Sequence, residues 1–225
     1  MLAIFDIDGT ICDSREVEGR CYADAIGTVT GQRLGTLDWS SYADPTSTGI
    51  VRELLRDDPQ AAQHEQAIVA EFLRLLHLAR AEHPDEFSPV PGAIDFIAQL
   101  PRHGPHTVAI ASGGFAEEAR FKLHCCGIAL DAYPHATSSD RTHRSDILAL
   151  AARRAGFTPE GTVYFGDGPW DIRAAAEAGM RFIGIGRRWD QLRALGAATV
   201  FRDFRAPEPI LRAMDPARVP EVASP

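Results

Sequence analysis

The 225-residue chain has one lysine, Lys122, among its 23 lysine and arginine residues. Any chemistry that calls for a lysine must use that position or accept an arginine, and a planar guanidinium fork does not reproduce a compact ammonium. Cysteine is scarce as well. Cys12, Cys21, Cys125 and Cys126 show no paired spacing of the metal-ligand kind, and reduced, mostly buried thiols are expected rather than a disulfide framework. The eight histidines form no His-x-x-x-His pair and read individually as surface or core residues. Long apolar runs are missing. Met1 to Phe5 is too short for the core of a signal segment and is followed by acids, and no later stretch approaches the roughly 18 apolar residues of a membrane span, so a cytoplasmic location is expected. A net charge of -8 disfavours nucleic acid and anionic membranes as partners. At 24.5 kDa and 45% apolar residues the chain can build one large domain or two small ones.

Three strand ends carry polar chemistry. Leu2-Ala3-Ile4-Phe5 is apolar and β-prone and runs into Asp6-Ile7-Asp8-Gly9-Thr10. Side chains alternate along a strand, so Asp6 and Asp8 leave it on the same side, Gly9 lets the backbone turn, and Thr10 adds a hydroxyl. Two like charges about 4 Å apart repel by about 4 kcal/mol at an effective dielectric near 20, so the pair needs a cation, a shared proton or a cationic side chain. Thr107-Val108-Ala109-Ile110-Ala111 ends in Ser112-Gly113-Gly114 ahead of a helical stretch, a place where freed backbone amides and a hydroxyl bind anions. Val163-Tyr164-Phe165 ends in Gly166-Asp167-Gly168-Pro169-Trp170-Asp171, with Asp167 at the strand end and Asp171 in a first helical turn. Each element also has a plain structural account: Asp-Gly as a turn, Ser112 as a helix cap, Asp171 as an acid favoured by the helix dipole. The three together are hard to assign to turns.

FDIDGT, IASGG and GDGPWD, in this order, resemble the first, second and fourth motifs of the haloacid dehalogenase-like hydrolase superfamily, and the helical insertion described below is similar to that of its phosphoglycolate phosphatase-like subgroup. The resemblance covers nearly the whole chain. It implies a Mg²⁺-dependent phosphatase in which Asp6 is the nucleophile that becomes an aspartyl-phosphate and Asp8 is the general acid and base. It further implies that Ser112 holds the transferring phosphoryl group, and that Asp167 and Asp171 hold Mg²⁺ with Asp6 and the main-chain carbonyl of Asp8. An all-oxygen ligand set suits Mg²⁺ and argues against zinc. The family's third motif normally supplies a lysine, and here the pattern departs. Lys122 falls inside the helix after Ser112 and reads as a solvated helix residue. Arg144 opens a later helix whose apolar positions Ile147, Leu148, Leu150, Ala151 and Ala155 suit one buried face; it is the expected substitute, with Arg141 as the alternative.

Strand-like runs at 2–7, 106–112, 162–166 and 181–185, with shorter ones near Tyr133 to Thr137 and Thr199 to Phe201, alternate with helical runs at 92–100, 115–126, 144–155, 170–178 and 207–214. This predicts an α/β fold, a Rossmann-like doubly wound parallel sheet with the chemistry at strand carboxyl ends. Residues 14–88 break the alternation with three helical patterns, around Glu16 to Ile26, Gly49 to Arg56 and Ala61 to Ala81. They read as an inserted small α-helical cap domain on a core made of 1–13 and 89–225. Asp44-Pro45-Thr46-Ser47-Thr48-Gly49 is the cap strip expected to face a substrate. Thr10, Gly113, Thr46 and Ser47 are thus the candidate substrate contacts, although Thr46 to Thr48 can equally cap a helix. Arg15 and Arg20 could reach an anionic substrate. The proline-rich tail from Asp215 to Pro225 is expected to be loosely held.

The expected partner is a small phosphorylated metabolite. A sugar phosphomutase using the same aspartyl-phosphate is the alternative. A non-enzymatic phospho-acceptor domain of the receiver type also groups acids at strand ends, but receivers are shorter, lack a helical insertion and use a late lysine that is missing here. Dehalogenation is disfavoured because Asp8 supplies the acid that phosphoryl transfer needs.

Overall fold

Strands covered on both faces need apolar side chains at successive positions, and Leu-Ala-Ile-Phe has them. The computed structural model describes residues 1–215, and there this run, β1 (Leu2–Phe5), is wholly buried in the middle of a six-stranded parallel sheet. The other strands are β2 (Thr107–Ala111), β3 (His135–Ala136), β4 (Thr162–Gly166), β5 (Arg181–Ile185) and β6 (Val200–Phe201), in the order β3-β2-β1-β4-β5-β6. The chain winds outward through β2 and β3, then returns to the other side of β1 for β4, β5 and β6. Such a reversal opens a crevice beyond the strand carboxyl ends, where doubly wound sheets bind ligands. In register, Phe5 lies between Ile110 and Phe165, so the residues that follow these strands emerge side by side.

Alternation sorts the strand side chains onto two layers. Ala3, Phe5, Val108, Ile110, Val163, Phe165 and Ile183 join one core with α4 (Ala93–Gln99), α5 (Ala116–Cys125) and α9 (Pro207–Met214). Phe5 stacks on Phe165 with ring centroids 4.6 Å apart. Leu2, Ile4, Ala109, Ala111 and Tyr164 face α6 (Arg144–Arg154) and α7 (Pro169–Glu177) in a second core. A short helix, α8 (Trp189–Ala194), follows β5; its six residues are too few to show a helical period in the sequence.

Between β1 and α4 stand α1 (Arg15–Thr30), α2 (Ser47–Leu54) and α3 (Ala61–Glu82), with no strand among them. α1 and α3 pack on each other through Tyr22, Ile26, Ile68, Phe72 and Leu76, all buried, and the Tyr22 and Phe72 rings meet edge to face at 5.4 Å. The two connections to the sheet are tied together, Asp13 N–H donating to Ser88 O and Val90 N–H to Ile11 O, each at 2.8 Å. Among the described residues no helix is long and apolar enough to cross a membrane. The tail beyond Asp215 lies outside the described residues.

Candidate active site

The loop after β1 is shaped by its backbone. Asp6 N–H donates to Phe165 O at 2.9 Å, extending the ladder to β4 by one step, after which Ile7 O accepts from the N–H groups of Ile11 and Cys12, each at 2.9 Å. Gly9 sits at φ +76°, a left-handed conformation, and a Cβ there would overlap the Asp167 carboxylate. The turn that brings Asp6 and Asp8 toward Asp167 therefore requires glycine.

Asp6, Asp167 and Asp171 are buried, and each offers a carboxylate oxygen within 4.8 Å of the others. Arg144, from the first turn of α6, compensates part of this charge. Its Nη1 donates to Asp171 Oδ1 at 2.9 Å and to Asp6 Oδ1 and the Tyr164 hydroxyl, both at 3.3 Å, and its Nη2 reaches Pro45 O at 3.4 Å. Gly113 leaves room for that guanidinium, since a Cβ at this position would overlap it. Asp171 is fully engaged: Oδ1 also accepts from the Tyr164 hydroxyl at 2.8 Å, and Oδ2 accepts from the N–H groups of Asp167 and Gly168 at 3.0 and 2.9 Å. Asp167 Oδ2 accepts from Arg15 Nη1 at 2.5 Å, and the Arg15 guanidinium lies over the Trp170 ring. Burial, and then repulsion from Asp171, push the Asp6 carboxyl well above the usual carboxylate range, with Arg144 pulling the other way. Burial raises Asp167 to about 7 against the lowering effect of Arg15. Three buried acids met by two cations, Arg144 shared by Asp6 and Asp171 and Arg15 on Asp167, form a set that a further cation fits, and its donors are all oxygen.

The remaining expected residues divide. Ser112 is buried at the end of β2 and its hydroxyl accepts the Gly114 N–H at 3.0 Å. Thr10 Oγ1 is buried without a hydrogen-bond partner among the described residues. Thr46 caps α2, accepting from Gly49 N–H at 3.1 Å while donating to Thr142 O at 2.8 Å. Ser47 N–H donates to Gly113 O at 2.7 Å, and Tyr22 donates to Ser47 O at 2.6 Å. Thr46, Ser47, Gly113, Asp6, Asp8, Arg144 and Asp167 line one small cleft, together with Tyr22, Trp39 and Trp170. Arg141 is exposed and donates to Asp140 O, away from the acids. Arg20 is also exposed, paired with Glu86.

Lys122 corrects the sequence reading. It is not a solvated helix residue: it is fully buried, with its ammonium 2.7 Å from Asp8 Oδ1, 2.5 Å from Glu118 Oε1 and 3.5 Å from Glu18 Oε1. Opposed burial and attraction act on it, and the three carboxylates hold its pKa well above the ordinary value. The i, i+4 spacing of Glu118 and Lys122 is a sequence signal for the pair. Nothing local in the sequence announces the approach of Asp8 and Glu18.

A family model described as haloacid dehalogenase-like hydrolase matches residues 1–179. The chain belongs to that family and is a hydrolase of it. Among solved structures, β-phosphoglucomutase from Clostridium difficile superposes with a TM-score of 0.72 at 16% identity, covering 95% of this chain and 96% of that one. CbbY from Rhodobacter sphaeroides, solved in complex with phosphate, gives 0.69 at 20% identity over 90% and 94%. Both likenesses concern the fold. A curated relative, the chloroplastic protein SUPPRESSOR OF QUENCHING 1 of Arabidopsis thaliana, is 24% identical over 192 residues, and the match spans 81% of this chain but 17% of that protein's length.

Proposed function

We propose that the chain is a Mg²⁺-dependent phosphatase that hydrolyses a small phosphorylated metabolite through an aspartyl-phosphate on Asp6. The observation that carries this reading is the meeting, on one small cleft, of the two acids that follow β1, the acid that follows β4 and the Arg144 guanidinium. Residues 14–88 act as a cap over that cleft, and the backbone bond from Ser47 to Gly113 is a contact that seats it. Asp6, Asp167 and the main-chain carbonyl of Asp8 would hold Mg²⁺. Asp171, expected from the sequence as a further ligand, belongs to the same acidic cluster, and by accepting from four donors it also fixes the Asp167 loop and Arg144. When bound, Mg²⁺ would offset the repulsion between a carboxylate nucleophile and a phosphate dianion.

The protein's own groups supply the rest. Asp6 attacks phosphorus, and the covalent step divides one difficult displacement into two. Asp8 gives a proton to the leaving oxygen and then takes one from water. Arg144 sits beside Asp6 where charge accumulates, filling the place of the family's third-motif lysine. Ser112 and the Gly113 and Gly114 amides receive the phosphoryl oxygens, and Thr10 Oγ1 is a buried donor still free to join them. Thr46 and Ser47 shape the cap side of the cleft. The four cysteines are free thiols, which suits a reducing cytoplasmic setting.

The fold-level likeness to a phosphoglucomutase keeps transfer to a sugar hydroxyl as the second reading. A screen of phosphorylated metabolites with Mg²⁺ and with EDTA tests the first: phosphate release that needs Mg²⁺ supports it, and isomerised sugar phosphate without phosphate release replaces it with the second.

A further inference from the structure

Lys122 has an arrangement that core packing does not call for. The face of α5 that carries it also buries Ala119 and Leu123, and an apolar residue would fill the same space without the cost of desolvating an ammonium. Its three carboxylate partners come from separate parts of the chain: Asp8 from the loop after β1, Glu18 from α1 of the helical insertion, and Glu118 from the first turn of α5. Glu118 in turn accepts the Phe115 N–H at 2.9 Å and the Ser47 hydroxyl at 3.3 Å through Oε2. Asp8 is gripped on one oxygen. Its Oδ1 accepts from the Ser14 hydroxyl at 2.6 Å and lies 2.7 Å from the Lys122 ammonium in an ion pair, whereas Oδ2 has no hydrogen-bond partner among the described residues and the Asp8 side chain lines the cleft.

We propose that Lys122 is a positioning residue that holds the Asp8 carboxyl by Oδ1 so that Oδ2 meets the leaving oxygen of a phosphate ester, and that it ties this orientation to the seating of the helical insertion through Glu18. The inference rests on Asp8 being the general acid of the reaction proposed above. As the bond from phosphorus to the leaving oxygen breaks and the bond to Asp6 forms, the proton on Asp8 passes to that oxygen. In the second half water bonds to phosphorus, the bond to Asp6 breaks, and the water's proton goes to Asp8. Such transfers need a heavy-atom approach of about 2.6–3.2 Å, which a carboxyl free to turn would seldom offer. Glu18 and Glu118 offset the ammonium's charge, so its contribution to Asp8 is geometric.

The test compares two esters whose leaving groups differ in their need for a proton: glycerol 2-phosphate, which needs one, and 4-nitrophenyl phosphate, which does not. kcat/KM reports every step up to release of the first alcohol. For Lys122→Met it should fall about tenfold or more on glycerol 2-phosphate but less than about threefold on 4-nitrophenyl phosphate, with KM little changed, as for a group acting only in the transition state. Asp8→Asn should show the same selectivity more strongly. Equal losses on the two esters, or none, in Lys122→Met overturn the assignment while leaving the phosphatase reading intact if Asp8→Asn remains selective. If Asp8→Asn is not selective, or the parent protein hydrolyses neither ester, the general-acid reading fails and this one with it. Should Lys122→Met not fold, Lys122→Met/Glu118→Gln removes a charge of each sign and is assayed in its place: the same selectivity supports the inference, and parental kinetics refute it.

Discussion

Replacing Arg144 with alanine removes a cation that touches both Asp6 and Asp171, and the size of the effect follows from the distances. At 2.9 and 3.3 Å each pair is worth about 5 kcal/mol at an effective dielectric of 20, most of it offset by the desolvation of the three groups. Losing one partner leaves the others buried and unpaired, which costs about 3 kcal/mol or more. For a chain of this length each kcal/mol moves Tm by roughly 2–4 °C, so in EDTA the variant should melt about 6–12 °C below the parent. Saturating Mg²⁺ returns positive charge to the same acids and should recover part of the difference. The phosphatase rate should drop more than about tenfold, the equivalent of about 1.4 kcal/mol in the barrier. Arg144→Lys should regain only part of the loss, since an ammonium cannot bridge Asp6, Asp171 and Pro45 O together. Thermal melts and steady-state kinetics on both variants, with Arg141→Ala as the exposed comparison, decide the matter. An Arg144→Ala protein with a rate within about threefold of the parent and an unshifted melt would refute the reasoning.

Asp6→Asn should keep the fold and lose turnover, because an amide cannot accept the phosphoryl group; phosphate release above a few per cent of the parent rate in the purified variant would remove Asp6 as nucleophile. Activity should vanish with EDTA, return with Mg²⁺ and be inhibited by Ca²⁺, which takes more ligands in a looser geometry; full activity in metal-free buffer contradicts this. A pH effect follows from the raised Asp6 and Asp167 carboxyls. Between the ordinary carboxylate value near 4 and about 7 the metal-free folded state holds more protons than the unfolded chain, so its stability declines as pH rises through that window. Mg²⁺ must displace those protons, so the increase in Tm that it gives should be larger at pH 8 than at pH 6, and an equal or smaller increase at pH 8 in paired melts would contradict the assignment.

What the sequence made legible was local. Asp6 and Asp8 follow an apolar run by one and three residues, and a strand's period of two is enough to put them on one side. Asp167 is placed by the same rule at the end of β4, and the helical insertion declared itself by the 3.6-residue period of its apolar positions in α3. Arg144 could be preferred over Arg141 because it opens a helix with one buried face. Contacts between distant segments were not legible. The Arg15 guanidinium reaches Asp167 across 152 positions, and its exposure could not be judged without the path of α1. Tyr164 read as one member of an apolar strand, yet its hydroxyl joins Asp171 to Arg144, an interaction fixed by how α6 and α7 lie on the sheet. Lys122 was misread for the same reason: two of its three carboxylate partners, Asp8 and Glu18, lie outside its own helix.

Arg144 and Lys122 divide the work according to their shapes. Arg144 spans Asp6, Asp171, Tyr164 and the carbonyl of Pro45, four acceptors spread around a plane, which suits a rigid fork with several donors. Lys122 stands inside Asp8, Glu18 and Glu118, whose carboxylate oxygens come within 4.8 Å of one another, a pocket that suits a compact ammonium with three rotatable donors. An arginine in the second place would overfill a fully buried site, and a lysine in the first would leave acceptors unmet. The chain's single lysine stands at this compact site, and the other 22 of its 23 lysine and arginine residues are arginines. On the function proposed above, Arg144 takes the place of the family's usual lysine beside the nucleophile, while Lys122 braces the carboxyl two residues further on. On that reading Asp6 and Asp8 have different tasks, the first needing charge spread over a reacting group and the second needing one oxygen held still.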